Sequence, residues 1–215
     1  MNAALIPVRS IGGAKNRLAG TLDENRRAAL ALAMLEDMVV ALAGARSVDR
    51  TVVVSSDPTL LRHAAALGTE TIDEGEARGL NGAVKMAWRK LQKERVENLL
   101  TIPGDVPLIT PLEIDGVFSV DTGRYPVVLI PSLATTGTNG LLTHPPTIIE
   151  PMFEGSSLAA YRRACTDGGL EVLLLGLEGF AVDVDTPDDL ALLASSSGRT
   201  ADLVRSWQLT GEDRC

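Results

Sequence analysis

Aromatic side chains make up only 3% of this 215-residue chain, which carries two histidines and two cysteines. With so few aromatics, the core must be built from Ala, Leu, Val and Ile, and at 45% apolar residues there are enough of them. Cys165 and Cys215 give neither a disulfide framework nor metal-ligand spacing. His63 and His144 lack the partners of a catalytic triad. No apolar run approaches the length of a membrane span, and an apolar strand pattern within four residues of Met1 leaves no room for a signal peptide. A reducing, cytoplasmic setting is the expectation. Basic charge is also scarce: 20 Lys and Arg stand against 28 Asp and Glu, a net charge of -8. That excludes a nucleic acid as a bulk partner, since phosphate backbones demand a basic face. It leaves room for a small anion held by a local basic cluster.

Such a cluster stands near the start. The apolar run Ala4-Leu5-Ile6-Pro7-Val8 leads into Arg9, then Ser10-Ile11-Gly12-Gly13-Ala14, Lys15, Asn16 and Arg17. This reads as a buried strand, a glycine-containing loop with three cations, and a helix opened by a capping box at Thr21 to Glu24. Strand, basic loop and helix suit a polyphosphate, because backbone N–H groups and cations can both reach it.

Strand-like and helix-like patterns then alternate. Strands are expected at 3–8, 51–54, 69–72, 98–102 and 127–130. Helices are expected at 23–43, 58–67, 80–93, from Thr110, at 157–166 and at 187–193. The expected fold is α/β: three layers, a mostly parallel twisted sheet with helices on both faces. Residues 132–155, rich in Thr, Gly and Pro, read as an irregular hairpin insertion. One domain is expected over 1–194, followed by a linker and loose tail over 195–215. Ligands in such sheets sit beyond the carboxyl ends of the strands.

Three acidic positions stand out. Asp105, in Pro103-Gly104-Asp105-Val106-Pro107, follows a strand, where it serves either as a turn former or as a ligand to Mg²⁺. Thr186, Pro187 and Asp189 open a helix, but Asp183 and Asp185 have no such structural duty. Two residues apart on an extended segment, they share a face, and their repulsion favours a bound metal over an ordinary solvated edge. Gly79-Leu80-Asn81 reads as a helix start with Asn81 as cap, or as a close approach to a nucleobase. Thr135 to Gly140 and Gly155-Ser156-Ser157 are hydroxyl-rich turns, fit either for capping or for holding a carboxylate or phosphate.

In this order the motifs resemble the 2-phospho-L-lactate guanylyltransferase family and its phosphoenolpyruvate-using relatives. The wider superfamily has the nucleotide-diphospho-sugar-transferase-like and molybdenum-cofactor-guanylyltransferase-like fold. The resemblance runs from Leu5 to about Leu193, and the pairing of Gly137-Thr138-Asn139 with Gly155-Ser156-Ser157 is its narrowest part. It implies transfer of GMP from GTP to a phosphorylated three-carbon acid (2-phospho-L-lactate, phosphoenolpyruvate or 3-phosphoglycerate). Pyrophosphate would be released, in biosynthesis of the deazaflavin coenzyme F-420. Lys15, Arg17 and Asp105 become the catalytic set. Pro7, Val8, Arg9, Lys15, Arg17, Leu80 and Asn81 become the nucleotide site. Thr138, Asn139, Gly155 and Ser157, with Ser156 as the alternative to Ser157, become the acceptor site, and Asp105, Asp183 and Asp185 hold Mg²⁺. Asn16 stands where the family usually has serine, and Tyr161 where a histidine often follows the Gly-Ser-Ser turn. A molybdopterin-type guanylyl- or cytidylyltransferase and a non-catalytic nucleotide-binding module are the alternatives. A monomer and a homodimer fit equally well.

Overall fold

The computed structural model describes residues 1–9 and 15–207. The glycine loop Ser10 to Ala14 and the end of the chain, with Cys215, lie outside the described residues. A seven-stranded sheet runs β3-β2-β1-β4-β6-β5-β7. Its strands are β1 (Asn2–Pro7), β2 (Arg50–Ser55), β3 (Glu70–Asp73), β4 (Asn98–Thr101), β5 (Val127–Pro131), β6 (Thr138–Thr143) and β7 (Val172–Leu174). β6 pairs antiparallel with both β4 and β5, while the other pairings are parallel. The expected mostly parallel sheet is therefore present.

Helices cover both faces: α1 (Glu24–Gly44), α2 (Pro58–Ala66), α3 (Gly79–Lys93), α4 (Pro111–Phe118), α5 (Ser157–Asp167), α6 (Glu178–Ala181), α7 (Pro187–Ala194) and α8 (Arg199–Ser206). Side chains alternate across the strands, so each strand feeds two cores. Ala4, Ile6, Val53, Leu100 and Val128 pack with α1, α2 and α4. Ala3, Leu5, Val52, Val54, Leu99 and Val127 pack with Trp88 of α3 and Tyr161 of α5. The stripe Leu30, Met34, Met38 and Leu42 of α1 is buried, as its spacing predicts.

Helix starts follow their local chemistry. Asp57 caps α2 with Pro58 inside it, and Thr110 and Glu113 form a capping box ahead of α4. Thr186 and Asp189 form another ahead of α7. The expected box at Thr21 does not form. Asp23, one residue before α1, accepts from the Arg26 N–H instead, a contact a carboxylate makes without a partner three residues on. Asn81 is not a cap either, because α3 already starts at Gly79 after Arg78.

Two further expectations change. Residues 138–143 are not part of a peripheral insertion but form β6, every residue buried, between β4 and β5. Their polar groups are satisfied inside the protein: Thr143 donates to backbone carbonyls, and the Asn139 amide donates to carbonyls of α6. Residues 199–206 are not a loose tail. They form α8, whose Ala201 and Val204 are buried, and the Asp37 carboxylate of α1 accepts from the Arg199 and Thr200 N–H groups at its start.

Candidate active site

The cavity opens at the carboxyl ends of β1 and β4. The turn after β4 lies directly on the end of β1. Gly104 donates its N–H to the Pro7 carbonyl at 3.2 Å, and a Cβ at Gly104 would stand 2.8 Å from Val8 Cγ2. Glycine is thus required by close approach at the position before Asp105. The segment carrying Asp183 and Asp185 is pinned to the same turn, since the Val184 N–H donates to the Asp105 carbonyl at 3.0 Å. Val184 itself is buried against Leu18, Leu22 and Met34. The two acidic motifs, distant in sequence, therefore meet at one rim.

Lys15 lies between them. Its Nζ donates to Asp105 Oδ2 at 2.8 Å and to Asp185 Oδ1 at 2.9 Å, with the side chain 10% exposed. Burial pulls its pKa down, but the charges of Asp105 and Asp185 outweigh this and hold it above the ordinary lysine value. Arg17 Nη1 reaches Asp185 Oδ2 at 3.3 Å from an exposed position. Asp183 has a different partner: its Oδ1 accepts from Asn139 Nδ2 at 3.1 Å. Burial pushes the Asp183 carboxyl up, the neighbouring Asp105 and Asp185 push it further, and the Asn139 bond opposes them. Asp189 Oδ2 accepts from the Asp185 N–H at 2.9 Å, so the capping box of α7 also fixes the backbone of Asp185.

Across the cavity lies the hydroxyl-rich wall. Ser157 Oγ donates to Thr138 Oγ1 at 3.1 Å, joining α5 to β6. Gly155, with φ of +65°, makes the left-handed turn ahead of α5. Tyr161 is buried, and its hydroxyl accepts from the Met152 N–H at 2.8 Å; it supports the loop behind the turn.

A cavity of about 990 Å³ brings together most of the residues singled out from the sequence: Pro7, Val8, Arg9, Lys15, Arg17, Leu80, Asp105, Thr138, Asn139, Gly155, Ser157, Asp183 and Asp185 all line it. Ser156 and Asn81 do not. Ser156 precedes α5 without any side-chain capping bond. Asn81 directs its amide at the loop before α5 instead, accepting from the Phe153 N–H at 2.8 Å and donating to Glu154 at 3.4 Å. Asn139 lines the wall, but its amide also donates to the Phe180 carbonyl, so it braces Asp183 as well as facing the cavity. Sequence reasoning missed Glu154, whose carboxylate lies 3.3 Å from the Arg9 guanidinium at the cavity mouth; its only signal was its place before Gly155. Neither histidine lines the cavity.

The donor set suits a hard divalent cation, since it offers only carboxylate oxygens, and a dication would favour the charged form of the Asp183 carboxyl against its burial. Among the described residues, no three His, Cys, Asp or Glu side chains stand grouped as a ready cation cage. Lys15 holds the space between two of the three aspartates.

At the carboxyl ends of its strands the wound sheet gathers a half-buried lysine, two arginines and three aspartates around one cavity, and the family and relatives that the chain matches make it a nucleotidyltransferase. A nucleotide-diphospho-sugar transferase, so assigned, from Desulfovibrio desulfuricans G20 has the same fold at a TM-score of 0.80 and 20% identity, covering 96% of this chain and 95% of its own. Residues 2–212 match the family described as Guanylyl transferase CofC like, and the chain belongs to that family. It is 38% identical to the phosphoenolpyruvate guanylyltransferase of Rubrobacter xylanophilus, over 91% of this chain and 94% of that one. It is 33% identical to the 3-phospho-D-glycerate guanylyltransferase of Phenylobacterium zucineum, over 95% of each. It is 34% identical to the 2-phospho-L-lactate guanylyltransferase of Methanocaldococcus vulcanius, over 86% and 81%. Among the described residues no helix is long and apolar enough to cross a membrane.

Proposed function

We propose that this protein transfers GMP from GTP to a small phosphorylated carboxylic acid, with phosphoenolpyruvate as the first candidate acceptor, as a step toward coenzyme F-420. A phosphate oxygen of the acid forms a bond to the α-phosphorus of GTP. The bond from that phosphorus to the β-phosphate oxygen breaks, and pyrophosphate leaves. The attacking phosphomonoester carries about -1.5 to -2 charges at neutral pH, so it needs no general base. This agrees with a cavity that no histidine lines. What the chain must supply is alignment and charge neutralisation between two polyanions. Lys15, Arg17 and Arg9 bring positive charge to the phosphates. Asp105, Asp183 and Asp185 would hold Mg²⁺, which supplies Lewis-acid stabilisation of phosphoryl charge when bound. Thr138, Gly155 and Ser157 offer hydroxyl and backbone donors for the acid.

One observation carries this reading: Lys15 joins Asp105 to Asp185 in the same cavity that Thr138 and Ser157 line. The test is GTP and Mg²⁺ with phosphoenolpyruvate, 3-phosphoglycerate and 2-phospho-L-lactate in parallel, products read by mass. A guanosine diphosphoryl adduct plus pyrophosphate with at least one acid is expected. Absence of adduct with all three would reject the proposal.

A further inference from the structure

Lys15 is not a surface lysine that has settled on the nearest acid. Its carbonyl accepts from the Leu18 N–H at 2.9 Å, and Leu18 is fully buried among Leu22, Leu30, Met34 and Leu190. Its φ of +56° is a backbone conformation that residues other than glycine rarely adopt. The ammonium is delivered from this fixed base to carboxylates 90 and 170 positions away in the chain. It uses one oxygen of each, and it sits between the residues best suited to a divalent cation. Arg17, more exposed and at longer distance, is a minor counter-charge beside it.

We infer that Lys15 is a resident counter-cation that makes divalent-ion binding depend on the nucleotide. With its ammonium between Asp105 and Asp185, a divalent ion that bridges the two carboxylates meets a like charge already held at contact distance from both. A nucleotide's phosphates offer the ammonium a new anionic partner and free both aspartates in the same event. The ion therefore loads with the nucleotide rather than ahead of it. This inference rests on the proposed reaction, but its test reads occupancy and not turnover.

Mn²⁺ binding is measured by electron paramagnetic resonance on the parent protein and on Lys15→Met. Each is measured alone and with a GTP analogue carrying a methylene between the α- and β-phosphates. The expected result is weak Mn²⁺ binding by the parent alone and binding about tenfold or more tighter by Lys15→Met alone, because one like charge has been removed from contact range. The analogue should tighten binding to the parent, and do so more than it does for the variant. The inference is overturned if Lys15→Met alone binds Mn²⁺ no better than the parent alone, or if the parent binds it equally with and without the analogue. The analogue's phosphates themselves ligate Mn²⁺, so the parent's gain counts only as its excess over the variant's, and Lys15→Gln is the second variant should Lys15→Met fail to fold. GMP transfer by the parent in a parallel assay stands or falls independently of either result.

Discussion

Asn139→Ala isolates the brace behind Asp183. The Asn139 residue is 5% exposed, and its amide donates to the Phe180 carbonyl at 2.9 Å and to Asp183 at 3.1 Å, with the Ala181 carbonyl at 3.4 Å. Alanine supplies no donor. Phe180 is fully buried, so its carbonyl is left without this partner at a cost of about 1–3 kcal/mol. The bond to Asp183 involves a charged acceptor, but that carboxyl faces the cavity and water can replace part of it; about 1 kcal/mol is a fair share. The sum is about 2–4 kcal/mol. For a domain of this size that lowers Tm by roughly 5–15 °C. Urea and thermal unfolding of parent and variant read it directly. Asn139→Asp should be worse, since it sets a second carboxyl against Asp183 and replaces a two-hydrogen donor. An Asn139→Ala protein within about 0.5 kcal/mol of the parent would refute the reasoning, because surface changes alone reach that size.

Two other outcomes follow from the same rim. Burial raises the Asp183 carboxyl above its ordinary value of 3.8, so the folded state holds that proton more tightly than the unfolded chain does. This group's contribution is fully present below the unfolded pKa and is lost as pH rises through the raised folded value. Asp183→Asn, which keeps the shape and an acceptor for Asn139, should therefore raise Tm at pH 7, and the gain should close as pH falls toward about 4. An equal change in Tm at both pH values would contradict the assignment. Gly104→Ala must push against Val8 at 2.8 Å and the Pro7 carbonyl at 3.3 Å, so it should cost about 1–3 kcal/mol by urea unfolding. It should also lower kcat through displacement of Asp105.

The parallel strands were legible because Val52-Val53-Val54 and Leu99-Leu100 are buried on both faces and read as short apolar runs. β6 was not, because Thr138, Asn139 and Gly140 break such a run, and the bonds that let them be buried come from α6 and Ser157 far along the chain. β7, an edge strand of three residues, stays only partly buried although Val172 to Leu175 is an apolar run. α8 was hidden for a related reason: Asp37 supplies its cap from α1, while the local sequence shows only a Ser-Gly run. In the site, residue types and their order singled out Asp105, Asp183 and Asp185, and all three line the one cavity. Repulsion between the last two pointed to a bound metal; the sequence could not say that Lys15 reaches Asp185 while Asp183 pairs with Asn139. It also could not say that Asn81 turns away from the cavity to hold Phe153, since both depend on how distant segments meet.

The most direct measurement is the rate of GMP transfer by Asp105→Asn, beside the parent, with saturating GTP, Mg²⁺ and the accepted acid, and with circular dichroism on both proteins. Asparagine keeps the shape and one acceptor oxygen for Lys15 but removes the charge. The account predicts a native spectrum and a rate lower by at least about a hundredfold, the scale of losing one preorganised electrostatic contact. A folded variant that forms adduct and pyrophosphate at the parent's rate would contradict it.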